Sequence, residues 1–265
     1  MRRPLIACAV LLSMGLVAPL AAKPRAEPVE WTIGQDRYRG VLVYDDEGDA
    51  RRPGLVMVPN WMGVTDDAVA TARRIAGDDY VVLVADVYGA GVRPKDSKEA
   101  GAIAGALRND RPLLRERSLQ AVEALKAQAG RAPLDASRIG AVGFCFGGTA
   151  VLELARAGAP LAGVASLHGN LSTPLPAATG AVKAPVLVLN GAADRGVSRE
   201  DVAAFGKEMD AAGADWQFVD FGGAVHCFAE PSAGNDPASN CRYDERAARR
   251  AYRMLEDFFG EQFGG

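Results

Sequence analysis

Short apolar runs alternate with longer amphipathic stretches along most of the chain. The run at 54–59 is almost continuously apolar, which is typical of a strand covered on both faces of a sheet. Similar runs predict further strands at 80–85, 139–144, 161–167, 185–189 and 216–221. The stretches between them predict helices at 65–76, 97–107, 112–128, 149–157, 198–212 and 243–259.

This alternation predicts an α/β fold with a mostly parallel sheet and helices on both faces. Ahead of it, two strands at 29–33 and 38–44 are joined by the turn Gly34-Gln35-Asp36, which predicts an antiparallel N-terminal strand pair. Residues 24–28 are expected to be a short mobile leader. No shift in composition marks an internal boundary, so residues 23–265 are predicted to form a single domain.

The first 22 residues have the composition of an export signal. Met1-Arg2-Arg3 is basic, residues 5–20 form an apolar run, and Ala21-Ala22 follows it with small residues. The run is short for a membrane span, so we expect a signal peptide at 1–22, with an uncleaved anchor as the alternative. Cys8 stands at the start of this run, which argues against lipidation. The mature chain is therefore expected to be exported, periplasmic or secreted, without stable membrane association.

The composition is ordinary for a globular protein of 265 residues, with 49% hydrophobic and 24% charged residues. The net charge of −3 and the pI near 5.6 give no basis for nucleic-acid binding. We expect a monomer that uses no cofactor and has no nucleic-acid partner.

The stretch Gly143-Phe144-Cys145-Phe146-Gly147 has the spacing of a nucleophile elbow, G-x-S-x-G, with Cys in place of Ser. The nucleophile of such an elbow sits in a strained turn, where only small residues fit two positions to either side. The turn would lift Cys145 out of the sheet and place its thiol at a helix N-terminus, which favours a thiolate. For the bare motif, a buried structural cysteine in a Gly-rich turn is the alternative.

A catalytic thiol needs a base, and the base needs an acid to orient it. His226, one of two histidines, follows the last predicted strand in a Gly-rich loop, and Asp194 follows the strand at 185–189. The order Cys145, Asp194, His226 is the nucleophile, acid, histidine order of α/β-hydrolases. All three residues lie just beyond strand ends, where one site can gather them. We therefore predict a catalytic triad, against the alternative of a solvated aspartate and a surface histidine.

Two backbone N–H groups should hold the oxyanion of the reaction. Phe146 follows the nucleophile and is expected to supply one, and Trp61, in the loop after the strand at 54–59, the other. Asn60 is a candidate polar pocket group or a simple turn residue. His168 also follows a strand and is expected to line the pocket.

The four cysteines suggest both a nucleophile and a bridge. The first leaves with the signal peptide, and Cys145 is the candidate nucleophile. Cys227 and Cys241 flank a polar loop, and a disulfide between them would close a loop of about 15 residues in an oxidising compartment. Two free thiols are the alternative. A zinc site from His168, His226 and Cys227 lacks a short paired-ligand motif, so no metal is expected.

Four motifs together resemble the dienelactone hydrolase family, a similarity that extends from about residue 31 to 263. They are PNWMGV at 59–64, ADVYG at 85–89, GFCFGG at 143–148 and GAVHCF at 223–228. The resemblance implies an α/β-hydrolase fold for a catalytic domain at 23–265. It also implies a Cys-His-Asp triad at Cys145, His226 and Asp194, and a place for Tyr88 in the pocket.

Departures from the family pattern concern the substrate. Members that act on dienelactone have a glutamate where this chain has Asn60. They also hold the substrate carboxylate with two arginines, at positions where this chain has Gly89-Ala90 and Glu230, while Arg93 is nearby but out of register. Glu230 as a pocket residue argues against dienelactone and for a neutral substrate.

From these residues we predict a hydrolase of small carboxylic esters or lactones that forms a thioester acyl-enzyme. The alternative is a non-hydrolytic binding or redox-sensing protein on the same scaffold, with Cys145 as a reactive thiol. A thiol–disulfide oxidoreductase is disfavoured because the chain has no C-x-x-C motif.

Overall fold

The computed structural model describes residues 24–47 and 50–264, and the predicted signal peptide at 1–22 lies outside these ranges. The strands are β1 (Arg25–Ile33), β2 (Asp36–Tyr44), β3 (Arg52–Val58), β4 (Val81–Val84), β5 (Leu134–Phe144), β6 (Val164–Leu167), β7 (Val186–Gly191) and β8 (Trp216–Phe221). The helices are α1 (Asp66–Ala76), α2 (Ser97–Asn109), α3 (Arg111–Lys126), α4 (Phe146–Arg156), α5 (Arg199–Ala211) and α6 (Glu245–Gln262), with a 3₁₀ turn at Pro231–Ala233.

The strands form one sheet in the order β1-β2-β4-β3-β5-β6-β7-β8. β1 and β2 are antiparallel, as are β2 and β4, and the remaining neighbours are parallel. The predicted α/β fold with an antiparallel N-terminal strand pair is confirmed. Because parallel strands end at one edge of the sheet, the loops after β3, β5, β7 and β8 meet there.

The helices cover both faces of the sheet. Helices α2, α3, α4 and α5 pack on one face, and α1 and α6 on the other. The stripe predicted for α6 is buried, as its residues Ala248, Tyr252, Leu255 and Phe259 show. Among the described residues, no helix has the length and apolar character that crossing a membrane requires.

Helix α4, which follows the elbow, is buried along its whole length and is held by a cluster of charges. Glu153 within α4 is fully buried and pairs with Arg115 of α3 at 2.7 Å and with Arg156 at 3.1 Å. Arg156 continues to Glu208 of α5 at 2.9 Å. A buried carboxylate is stable only when it is paired in this way, so the cluster fixes α4 between its two neighbours.

The expectation of a mobile leader at 24–28 is wrong, because β1 begins at Arg25. Arg25 pairs in register with Tyr44 of β2, and its guanidinium contacts Glu27 at 2.9 Å and Asp46 at 2.8 Å. Residues 24–28 lack the apolar run of a buried strand, so the sequence did not predict a strand there. An edge strand, however, can form through its ladder of backbone hydrogen bonds alone.

Candidate active site

Cys145 occupies the sharp turn between β5 and α4. Its φ is 54°, in the left-handed region that residues other than glycine seldom adopt. The Cys145 N–H is shared between the carbonyl oxygen of Leu167 at 3.0 Å and Nδ1 of His168 at 3.1 Å. The turn therefore has the strained backbone expected of a nucleophile elbow, and contacts from the end of β6 hold it.

The glycines of the elbow are required by close backbone approaches. A Cβ on Gly143 would lie 2.1 Å from the carbonyl oxygen of Gly147, and a Cβ on Gly147 would lie 1.9 Å from that of Val58. Both neighbours are backbone atoms, which cannot turn aside as a flexible side chain does. The G-x-C-x-G spacing thus follows from the packing of α4 against β3 and β5.

The structure brings Cys145, His226 and Asp194 into one hydrogen-bonded line. Cys145 Sγ lies 3.0 Å from His226 Nε2, and His226 Nδ1 lies 2.7 Å from Asp194 Oδ2. Asp194 stands in the loop after β7 and His226 in the loop after β8. The Asp194 side chain is fully buried, whereas that of His226 is 24% exposed. The His226 imidazole is therefore held by Asp194 at Nδ1, while part of the ring remains accessible to a ligand.

The electrostatics of this line favour a charged imidazole. Burial acts to lower the pKa of His226, but hydrogen bonds to Asp194 and Cys145 and their charges outweigh it and raise that pKa to about 10. Burial acts to raise the pKa of Asp194, yet the hydrogen bond and charge of His226 leave it below its usual value. An imidazolium between a carboxylate and a sulfur stabilises negative charge on that sulfur.

The loop after β3 is folded by Asn60. Its Oδ1 accepts a hydrogen bond from the Met62 N–H at 2.9 Å, and its carbonyl oxygen accepts one from Gly63 at 2.9 Å. Neither the Trp61 nor the Phe146 N–H donates a hydrogen bond to any residue in 24–47 or 50–264. Both predicted oxyanion donors are thus unengaged, and the Asn60 side chain stabilises the turn that carries one of them.

Glu230 lies over the same loop. Its Oε1 accepts a hydrogen bond from Asn60 Nδ2 at 2.5 Å. Burial raises the pKa of Glu230 to about 7, helped by the charge of Asp67 and opposed by Asn60 and His226. With this raised pKa, the carboxyl group of Glu230 is expected to gain or lose its charge near neutral pH. Glu230 lies beside Cys145 in a cleft, where the sequence analysis placed it as a pocket residue.

His168 does not line the pocket, contrary to expectation. The residue is fully buried beneath the elbow, with a φ of 41°, and burial holds the pKa of its imidazole well below the usual range. Because Nδ1 accepts from the Cys145 N–H, the proton of this neutral ring lies on Nε2, 3.8 Å from Glu230 Oε2. Its position after a strand predicted proximity to the site, but the strained turn directs the ring inward.

Tyr88, which was expected in the pocket, is buried behind the loop that follows β3. Its hydroxyl donates to the carbonyl oxygen of Trp61 at 2.9 Å, and its ring packs on Phe146 with centroids 5.6 Å apart. Burial raises the pKa of the Tyr88 phenol. Tyr88 thus supports both residues that carry the candidate oxyanion N–H groups, from behind.

Two clefts meet at Cys145. One, of about 350 Å³, is lined by Asn60, Trp61, Asp67 and Glu230. The other, of about 200 Å³, is lined by Arg108 together with Cys145, Asp194 and His226. Arg108 was missed by the sequence reasoning because α2 reaches the site only through the packing of the fold.

Cys227 and Cys241 form a disulfide, and Cys145 is the free cysteine of the described residues. The bridge lies along the first cleft, one residue beyond His226. Within 24–47 and 50–264, no group of three or more His, Cys, Asp or Glu side chains could hold a metal ion.

The chain is similar to known proteins over most of its length. A model of the dienelactone hydrolase family matches residues 39–263. An uncharacterized protein of Caenorhabditis elegans is 34% identical over 133 residues, which are 49% of this chain and 84% of that protein.

Solved structures share the architecture. A dienelactone hydrolase-like promiscuous phosphotriesterase from metagenomic libraries superposes with a TM-score of 0.84 and 33% identity, covering 91% of this chain and 99% of that one. An acylaminoacyl peptidase of Pyrococcus horikoshii has a TM-score of 0.67 at 13% identity, covering 91% of this chain and 42% of that one. The second likeness shows the α/β-hydrolase fold alone.

Proposed function

Since the chain belongs to the dienelactone hydrolase family and is a carboxylic ester hydrolase, we propose that it cleaves neutral esters or lactones through a thioester on Cys145. One observation carries the proposal. The sulfur lies 3.0 Å from His226 Nε2, and the opposite nitrogen of the same ring lies 2.7 Å from a buried carboxylate. This is the geometry of a nucleophile, a base and the acid that orients the base.

The reaction proceeds in two halves. The Cys145 thiolate attacks the ester carbonyl carbon, and the carbonyl electron pair moves onto oxygen. The N–H groups of Trp61 and Phe146 hold that oxyanion, with each donor worth about 3 kcal/mol. When the intermediate collapses, the alkoxide leaves with a proton from His226, and a thioester remains. Water, deprotonated by His226, then attacks the thioester, releases the acid and restores the thiolate.

A burst assay tests the proposal. The mature chain, residues 23–265, is mixed with 4-nitrophenyl acetate, and intact mass is recorded during turnover. We expect about one equivalent of 4-nitrophenol per protein in the burst, with one acetyl group on Cys145. A folded protein that gives neither burst nor adduct would instead favour a binding or redox-sensing role for the thiol.

Uncharged phosphotriesters are a second candidate substrate class. The phosphotriesterase relative is 33% identical over 91% of this chain. A neutral triester carries no negative charge that the Glu230 carboxylate would repel. Diethyl 4-nitrophenyl phosphate in the same assay should release 4-nitrophenol and leave a diethylphosphoryl group on Cys145. An unmodified Cys145 under those conditions would restrict the enzyme to carboxylic esters.

Glu230 is expected to set the charge preference of the site. Because its pKa is raised to about 7, it is mostly ionised at pH 8 and mostly protonated at pH 6. The ratio of kcat/KM for a neutral ester to that for an ester with a carboxylate should therefore fall as pH falls from 8 to 6. A negative charge within a few ångströms disfavours the anionic ester by about tenfold.

Glu230→Gln should reduce that ratio at pH 8 and remove its pH dependence, because the glutamine amide is uncharged at every pH. The glutamine oxygen can still accept the hydrogen bond from Asn60, so the local structure should be kept. Glu261→Gln, an exposed carboxylate on α6, is the matched control and should leave the ratio unchanged. Equal pH dependence of the ratio in Glu230→Gln and the parent would exclude Glu230 as its source.

We also propose that residues 1–22 direct export and are removed, so that the mature chain works in the periplasm or outside the cell. The Cys227–Cys241 disulfide is consistent with an oxidising compartment. Expression of the full chain in a bacterium, followed by fractionation and N-terminal sequencing, tests this. A mature N-terminus near residue 23 in the exported fraction is expected, and an intact Met1 in the cytoplasm would contradict it.

A further inference from the structure

Asn240 contacts the buried acid of the catalytic line. Its Nδ2 donates to Asp194 Oδ1 at 2.9 Å, and its own Oδ1 accepts from the Arg195 N–H at 3.0 Å. The second contact fixes which end of the amide faces Asp194, because only the NH₂ end can donate to a carboxylate. Asn240 is therefore held at both ends against the loop that carries Asp194.

The segment that carries Asn240 is closed by the disulfide. Cys241, the next residue, is joined to Cys227, which follows His226 directly. The Arg242 N–H donates to the His226 carbonyl oxygen at 3.0 Å, so the chain on either side of the bridge is paired. The disulfide thus joins the loop that carries His226 to the segment that carries Asn240, which contacts Asp194.

We propose that Asn240 is a positioning residue for Asp194 and His226, and that the Cys227–Cys241 disulfide makes its action redox-dependent. The inference rests on the proposed thioester mechanism, in which His226 must keep one tautomer and one orientation. It assigns a role to the polar loop between the two cysteines, which the catalytic line itself does not use.

The role follows from the sharing of the two carboxylate oxygens. Asp194 Oδ1 accepts from the Gly196 N–H at 2.8 Å and from Asn240, so Oδ2 is left for His226 Nδ1 at 2.7 Å. Two donors on Oδ1 prevent rotation of the carboxylate. Without Asn240 the carboxylate has one anchor fewer, and a small misplacement of a catalytic group lowers the rate by up to about 10²-fold.

Isosteric replacement separates positioning from general stability. Asn240→Asp keeps the shape but places a second carboxylate against Asp194, and we expect kcat to fall by about 10- to 100-fold with little change in KM. The added negative charge should also raise the pKa of His226, so the alkaline limb of the kcat/KM profile, where the imidazolium is lost, should shift to higher pH. Asn240→Ala should lower kcat without that upward shift.

Asn235→Asp is the matched control, since it adds the same charge to an exposed position of the same loop. It should retain parental kcat and pH dependence. Parental kcat and pH dependence in Asn240→Asp, in a protein that still shows the Cys145 acyl burst, would overturn the inference alone. Absence of the burst from the parent would instead overturn the proposed function.

The redox part is tested by reducing the bridge. Dithiothreitol supplies two electrons and two protons to the Cys227–Cys241 bond and becomes a cyclic disulfide, leaving two thiols. We expect kcat of the parent to fall several-fold on reduction and to recover on reoxidation. In Asn240→Ala, reduction should have a smaller effect, because both changes release the same contact. Equal fold-losses on reduction in the parent and in Asn240→Ala would overturn the link between bridge and asparagine.

Discussion

Replacement of Cys145 by alanine should lower ester turnover by about 10⁴-fold or more, because the variant lacks the thiol on which the proposed acyl-enzyme forms. Removal of the nucleophile in enzymes of this kind leaves only the small rate provided by the oxyanion donors and binding. The fold should survive, since the Cys145 side chain is partly exposed and the turn is held by backbone contacts. Initial rates with 4-nitrophenyl acetate and thermal unfolding of both proteins are the measurements.

Alkylation gives an independent control for that variant. Cys145 is the free thiol of the described residues, so iodoacetamide added to the non-reduced parent should take up one equivalent and abolish turnover. Turnover that persists in either the alanine variant or the alkylated parent would contradict the assignment of Cys145 as nucleophile.

Replacement of Asp194 by asparagine should lower kcat by about 10³- to 10⁴-fold, the scale seen when the acid of a triad is made neutral. Asp194 accepts hydrogen bonds at both oxygens, from His226 at one and from Gly196 and Asn240 at the other. An asparagine has one acceptor oxygen, so its NH₂ group must face either the donors on Oδ1 or the imidazole. In the second case His226 is held in the wrong tautomer.

The same substitution should change the pH dependence in a defined direction. Asp194 helps to raise the pKa of His226 to about 10, so loss of its charge should lower that pKa. The protonated imidazole would then be lost at lower pH, which a pH series of kcat/KM reports. Asp220→Asn, at an exposed position of β8, is the control. A kcat within threefold of the parent for Asp194→Asn would remove Asp194 from the mechanism.

Local patterns in the sequence were sufficient to predict the fold and the three residues that the structure joins in one hydrogen-bonded line. Thr65 and Ser198, where the predicted helices at 65–76 and 198–212 begin, are the N-caps of α1 and α5. An N-cap bond joins residues only three apart, so such a boundary can be predicted locally. The strand–turn–helix around Cys145 could be predicted from its glycine spacing, although Gly147 is also required by the close approach of Val58 in β3. Asp194 and His226 could be predicted because the carboxyl ends of parallel strands share one edge of the sheet.

Side-chain direction within loops was beyond the reach of such patterns. His168 follows a strand just as the other candidates do, yet its positive φ turns the imidazole under the elbow. Tyr88 belongs to a family motif, but its hydroxyl reaches back to Trp61. Asn240 carried one sequence signal, its place beside Cys241, and that signal predicts nothing about Asp194 until the bridge and loop are folded.

The sequence alone therefore determined the order of strands and helices along the chain, the nucleophile elbow, and which side chains are chemically reactive. These features depend on periodicity and on interactions between near neighbours in the chain. Only the tertiary structure decided which of them meet: His168 under Cys145, Glu230 on Asn60, and Asn240 on Asp194. Those contacts join residues 23, 170 and 46 positions apart, and their geometry is set by the packing of the whole sheet and its helices.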